Sequence, residues 1–150
     1  MSFAFNRKSG VESLLLKVEG NALAESRPAS RSTPEEAAAT VTKAVTRAAE
    51  RLQLNQATLA EILGVSDSTA SRLVGGTYLL QPSKKREWEF ALLFLRLFRS
   101  LDAVVGHERQ AQIWLQDDNR ALAGRPIDLI KSAEGMIRVL QYVDAARGRI

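Results

Sequence analysis

Residues 54–76, LNQATLAEILGVSDSTASRLVGG, constrain the fold more than any other stretch of the chain. Asn55 is a favourable helix start and Gly64 a favourable stop, so the first half reads as one short helix. Ser66 caps a second helix, which ends at Gly75-Gly76 because glycine tolerates the left-handed conformation that closes a helix. Only Leu63-Gly64-Val65-Ser66 separates the two. So tight a crossing needs a small residue on the first helix, supplied by Ala60, and apolar Leu59, Leu63, Val65, Ala70 and Leu73 beneath it. That is the arrangement of a helix-turn-helix.

The rest of the chain has the same period. Thr33-Pro34-Glu35-Glu36 is a helix start with a mechanism: the threonine hydroxyl caps, proline fits the first helical position, and Glu36 reaches back to close a capping box. Ala38, Val41, Val45, Ala48 and Leu52 then keep one apolar face. Ser83 opens a longer helix whose stripe of Phe90, Phe94, Leu97, Phe98, Leu101, Val104 and Val105 is broad enough to require burial on more than one side. This stripe is expected to join the two halves of the protein and to contribute to self-association. After Gly106 come a helix around Glu108 to Leu115, a break at Asp117-Asp118-Asn119, a turn at Gly124-Arg125-Pro126, and a final helix from about Ala133 to Arg147. Trp114, Leu122, Ile127, Leu129, Ile130, Ile137, Leu140 and Val143 suit a small helical core there. No segment alternates in the manner of a hairpin, so the fold is read as all-α.

Composition excludes more than it identifies. With 150 residues the chain supports one core or two small ones. It has no cysteine and a single histidine, His107, which removes disulfides, thiolate zinc sites and any two-histidine metal or relay site. No catalytic constellation is left, and the chain is read as a non-enzyme without a cofactor. The net charge of +4 arises entirely before residue 100, since residues 100–150 hold seven basic and seven acidic side chains. Such an excess permits contact with an anionic polymer without establishing it. SRPASRSTP, over 26–34, reads as a linker, which makes residues 1–33 a tail and linker, 34–106 the helix-turn-helix domain with its long connecting helix, and 107–150 a C-terminal helical domain. No apolar run reaches signal or membrane-spanning length, so the expected location is the cytoplasm, with no membrane contact.

The helix-turn-helix resembles the phage-repressor or Xre type, with Gln56, Leu59-Ala60, Gly64, Ser66, Thr69 and Gly75 in pattern. That resemblance implies operator DNA as a partner, with the second helix in the major groove. It assigns base-edge contacts to Asp67, Ser68 and Arg72, and phosphate contacts to Gln56 and to Ser71 or Thr69. Arg72 can donate two hydrogen bonds to guanine, whereas Asp67 can only accept, from cytosine or from the start of its own helix. A single short helix reads few bases, so a homodimer or higher oligomer is expected. Lys84-Lys85-Arg86, just beyond the motif, is either a track for the DNA backbone or a solvated charge run.

Downstream, Trp114-Leu115, Asn119, Leu122, Gly124, Pro126, Gly135 and Leu140 resemble the partner-binding module of the Xre/MbcA/ParS antitoxin family. With the upstream motif, the resemblance covers residues 35–150. It implies a two-part protein that represses its own operon and neutralises a co-encoded toxin, usually a RES-domain protein that degrades NAD, by covering the toxin's active site. The toxin-facing residues it points to are Trp114, Arg125, Arg147, Arg149 and Ile150. Arg147 and Arg149 flank Gly148 and have the charge to enter a pocket that accommodates phosphates, or else form a solvated terminus. The alternative reading is a one-component transcriptional regulator whose C-terminal module dimerises or binds a ligand. His107 reads as a helix-start or surface residue. Asp117, Asp118 and Asp128 read as helix caps rather than a metal cluster.

Overall fold

The structure, a computed structural model, describes residues 31–148. Among them are seven helices: α1 (Pro34–Arg51), α2 (Gln56–Leu63), α3 (Asp67–Val74), α4 (Lys85–Val105), α5 (Glu108–Gln116), α6 (Pro126–Leu129) and α7 (Ala133–Gly148). The fold is all-helical, as the periodicity requires. The expected tail and most of the linker lie outside the described residues, as do Arg149 and Ile150.

The helix ends follow from local chemistry. At α1 the capping box closes in both directions: the Glu36 amide donates to Thr33 Oγ1 at 3.2 Å and the Thr33 amide to Glu36 Oε2 at 3.0 Å. Asn55 Oδ1 accepts from the Thr58 amide at 2.8 Å and starts α2. Gly64 ends it at φ 67°, where a side chain would be strained whatever the space around it. The long helix differs from the expected start. It begins at Lys85, with Lys84 in the cap position and no side-chain cap, because Gln81 to Lys84 are taken up by a turn in which the Lys84 amide donates to the Gln81 carbonyl at 3.0 Å.

One hydrophobic cluster runs through the described chain, from Val45 in α1 to Val143 in α7, and continues across Gly106, with Leu101 and Ala111 both in it. Its centre is α4, which packs most extensively on α7 and also against α1, α2 and α5. The α4 stripe is therefore consumed inside the chain: Phe94, Leu97 and Leu101 are fully buried. A loop over 75–84 is pinned to α1 by the buried Thr42, whose Oγ1 accepts from the Leu80 amide at 2.9 Å.

In the C-terminal part each of the patterned residues has a physical task. Asn119 and Gly124 pair through their backbones at 3.0 and 3.2 Å, and Asn119 Oδ1 also accepts from the Leu122 amide at 3.1 Å, which closes the loop before α6. Gly135 is required by contact: a Cβ there would stand 1.9 Å from the Leu129 carbonyl oxygen. The start of α7 thus lies directly on the end of α6. Leu122, Ile127, Ile130, Leu140 and Val143 are buried as expected. Ile137 is a correction: it is 43% exposed, on the side of α7 turned away from the core. Asp128 is another. It caps nothing, but lies within α6 and pairs with Arg125 at 3.6 Å and Lys131 at 3.8 Å.

Candidate nucleic-acid interface and partner-binding face

Alanine and leucine at positions 70 and 73 turn one side of α3 into the core, and this decides what the other side shows. Asp67, Ser68, Ser71 and Arg72 are exposed and Thr69 is half-buried. The Ser66 hydroxyl accepts from the Thr69 amide at 3.1 Å, donates to Thr69 Oγ1 at 2.9 Å and lies 3.1 Å from Ser68 Oγ. The Gln56 side-chain amide, at the start of α2, donates to the Asp67 carbonyl at 3.3 Å, so it ties the beginnings of the two helices together. An amide has two N–H donors, and one is left over from that tie. Arg72 Nη2 approaches Thr69 Oγ1 at 3.4 Å. Five of the six candidate DNA contacts are thereby gathered into one group around the N-terminus of α3, and Ser71 stands exposed on the same helix.

Arg72 has a second support that sequence reasoning missed. Its guanidinium lies over the Tyr78 ring, 5.4 Å from the centroid, with the Lys84 ammonium also over that ring at 4.9 Å. The Tyr78 hydroxyl accepts from Lys84 Nζ at 2.7 Å and donates to the Glu87 carboxylate, whose oxygens are 2.8 and 3.0 Å away. Glu87 is only 8% exposed. A charge chain therefore runs from an exposed lysine through a half-buried phenol to a buried acid in α4, and it fixes the ring under Arg72. The Tyr78 hydrogen bond, then the Glu87 charge, hold the Lys84 ammonium above its ordinary pKa, so it stays cationic beside the motif. The one signal available in the sequence was Glu87 itself, an acid four and seven residues before Ala91 and Phe94 on the inward face of α4.

The C-terminal helices expose large apolar groups. Trp114 of α5 stacks on Tyr142 of α7, with centroids 6.3 Å apart and planes 18° from parallel. Tyr142 is 38% and Ile113 43% exposed. Ile113 and Trp114 line a shallow pocket of about 190 Å³ with Val105, Gln110 and the Asp117 to Asn119 turn, so this apolar patch has an acidic rim. Arg125 is committed within the chain. It donates through Nε to the Gln116 carbonyl at 2.9 Å and through Nη2 to Gln116 Oε1 at 2.6 Å, capping the end of α5. Arg147 is exposed in the last turn of α7. His107 is exposed at the start of α5. Among the described residues no group of three His, Cys, Asp or Glu could hold a metal ion, and no helix is long and apolar enough to cross a membrane.

Two family models match the chain. Residues 33–96 match the antitoxin Xre-like helix-turn-helix domain, and residues 100–149 match the antitoxin Xre/MbcA/ParS C-terminal toxin-binding domain. Among solved structures, one from M. tuberculosis, a chain of the MbcT–MbcA toxin–antitoxin complex, is similar at 29% identity and a TM-score of 0.54, over 72% of this chain and 94% of that one. No curated protein matches.

Proposed function

This chain belongs to the Xre/MbcA/ParS family of antitoxins, and we propose that it represses its own operon through α2 and α3 and neutralises a co-encoded RES-domain toxin with residues 107–150. The chain carries the helix-turn-helix of an antitoxin and a toxin-binding module. That the toxin is a RES protein consuming NAD, that the operator is its own, and that the chain itself is no enzyme are proposals that follow from the family pattern at Trp114-Leu115, Asn119, Leu122, Gly124 and Pro126. Residues 34–106 form the DNA-reading part in this scheme, and the location is the cytoplasm, where operator and NAD both are.

The observation that carries the toxin half is the stack of half-buried Trp114 on exposed Tyr142, with exposed Ile113 preceding Trp114 in the chain. A partly exposed aromatic group is a favourable anchor for a partner, because it buries a large area with few rotors to freeze. Arg147, Arg149 and Ile150 then extend toward the toxin's pocket, where an arginine competes for the space that holds NAD phosphates. Arg125 is proposed to contribute from the rim, keeping its bonds to Gln116. On the DNA half, Arg72 is presented to base edges from the Tyr78 ring, with Asp67 and Ser68 alongside, and Gln56, Thr69 and Ser71 hold phosphates.

The test is purification of the chain with the product of the neighbouring gene. A stable complex in which NAD consumption by the toxin is suppressed, and which shifts operator DNA but not a scrambled duplex at the same salt, is the expected result. If the neighbouring product does not co-purify and its activity is unchanged by this chain, the reading fails in favour of a one-component regulator.

A further inference from the structure

A line of cations crosses the helix-turn-helix domain away from the motif itself. Lys43, Arg47 and Arg51 recur every four residues along α1, each about 6 Å from the next along the axis. They line one side of an open cavity of about 810 Å³ between α1 and α4. Arg47 stands about 140° round the helix from Thr42, the residue that holds the loop bearing Tyr78 and Lys84, so the cavity lies on the far side of α1 from that loop. Arg99 of α4 forms the other wall, over an apolar floor of Ala48, Leu95 and Phe98. Lys43, Arg47 and Arg99 have no ion-pair partner among the described residues, and Glu50 is the one acid in the lining. Like charges gathered in one depression repel, and an anion held between them removes that cost. Arg51 differs from the other three. Its guanidinium lies over the Phe98 ring, 5.1 Å from the centroid, and its Nε donates to Glu108. The ring beneath and the carboxylate at the edge fix the guanidinium plane, while the side chain stays 46% exposed, so the face turned away from Phe98 is an open stacking platform.

We propose that this cavity binds a nucleoside triphosphate, with the base stacked on the open face of Arg51 and the phosphates held between Lys43, Arg47 and Arg99. Small-molecule sites are concave, about 300–1,000 Å³ in volume, and combine apolar walls with a few convergent polar groups, which describes this cavity. Lys43 and Arg51 are about 12 Å apart along α1, a span that an extended nucleoside triphosphate covers. Its negative charges answer the three unpaired cations. An acidic peptide would meet those cations too, but would leave the Arg51 platform empty. A DNA duplex keeps its bases stacked inside and has none to offer a platform within a depression. The site shares no residue with the group around α3 or with the patch at Trp114, and it goes beyond the operator and toxin readings.

The experiment is titration calorimetry of the full chain with magnesium-free ATP, adenosine and inorganic tripolyphosphate, at low and at high salt. ATP binds, more weakly at high salt, and more tightly than tripolyphosphate, while adenosine gives no measurable binding. Arg47→Glu weakens ATP binding about tenfold or more. Arg51→Lys keeps the charge and loses the plane, so the advantage of ATP over tripolyphosphate disappears. Glu50→Gln removes the one acid of the lining and strengthens ATP binding about threefold, a gain that a misfolded variant does not produce. Arg72→Ala leaves ATP binding unchanged. Absence of ATP binding, equal affinity for ATP and tripolyphosphate in the wild type, or binding indifferent to Arg47→Glu and Glu50→Gln overturns the proposal. So does a non-operator duplex whose binding is weakened by Arg47→Glu and is not displaced by ATP, because the cavity is then a path for a DNA backbone.

Discussion

Replacing Tyr78 by phenylalanine removes one oxygen and leaves the ring, which separates the two things this residue does. The hydroxyl donates to the Glu87 carboxylate, with both oxygens in reach of a single proton, so the pair counts as one charge-assisted hydrogen bond. Such a bond contributes about 1.5–3 kcal/mol. At 8% exposure Glu87 has little access to water, which places the loss in the upper part of that range, about 2–3 kcal/mol. For a folded body of this size, that corresponds to a fall in melting temperature of about 8–15 °C. Lys84 works against it, because the ammonium now on the hydroxyl can turn directly to Glu87. A double-mutant cycle resolves the two effects. In a Glu87→Met background, where neither polar end remains to be orphaned, Tyr78→Phe should cost under about 0.5 kcal/mol. The assay is urea unfolding followed by circular dichroism. A loss below about 0.5 kcal/mol in the wild-type background would refute the claim that the hydroxyl holds the buried acid.

Arg72→Ala should reduce operator binding by about 1–3 kcal/mol and relax discrimination at one base pair, read in gel-shift titrations at fixed salt; a loss spread equally over all sequences would demote it to a phosphate contact. Gly135→Ala forces a methyl group into the Leu129 carbonyl, so stability should fall by about 2–4 kcal/mol and the urea midpoint with it, and an unchanged midpoint would show that α7 slides freely. Deleting Ala146 to Ile150 should leave operator binding intact and weaken protection against the co-encoded toxin. Full inhibition of NAD breakdown by the truncated chain would move the inhibitory role to the surface around Trp114.

Where the sequence was informative, the reason was that one residue carried one local task. Thr33, Asn55, Ser66 and Gly64 each act within a turn of themselves, and the helix starts and stops they define match the structure. The start of α4 was less legible because Ser83 competes with a turn whose hydrogen bond, Lys84 to Gln81, is not marked by residue type. Ile137 fits an apolar period, yet α7 has its buried line through Met136, Val139, Leu140 and Val143, and a position one step beyond that line faces solvent. Tyr78 is separated from Glu87 by a loop, and no periodicity links a loop residue to a helix. The Arg125 guanidinium reads as a surface charge until Gln116, nine residues earlier, is brought beneath it.

Two of these, the start of the long helix and the Tyr78–Glu87 link, meet in α4. This helix has α1 and α2 on one flank, α7 on another, and the Glu89 to Arg96 face outward. Glu87 ties its first turn to the ring beneath Arg72, while Arg96 and Ser100 both bond to Asp144 of α7, the latter at 3.0 Å. A helix about 30 Å long therefore carries, in its first turn, the anchor of the ring beneath Arg72 and, further along, the anchor of the helix that displays Tyr142. Any partner that draws α7 away from α4 must first break the Asp144 contacts.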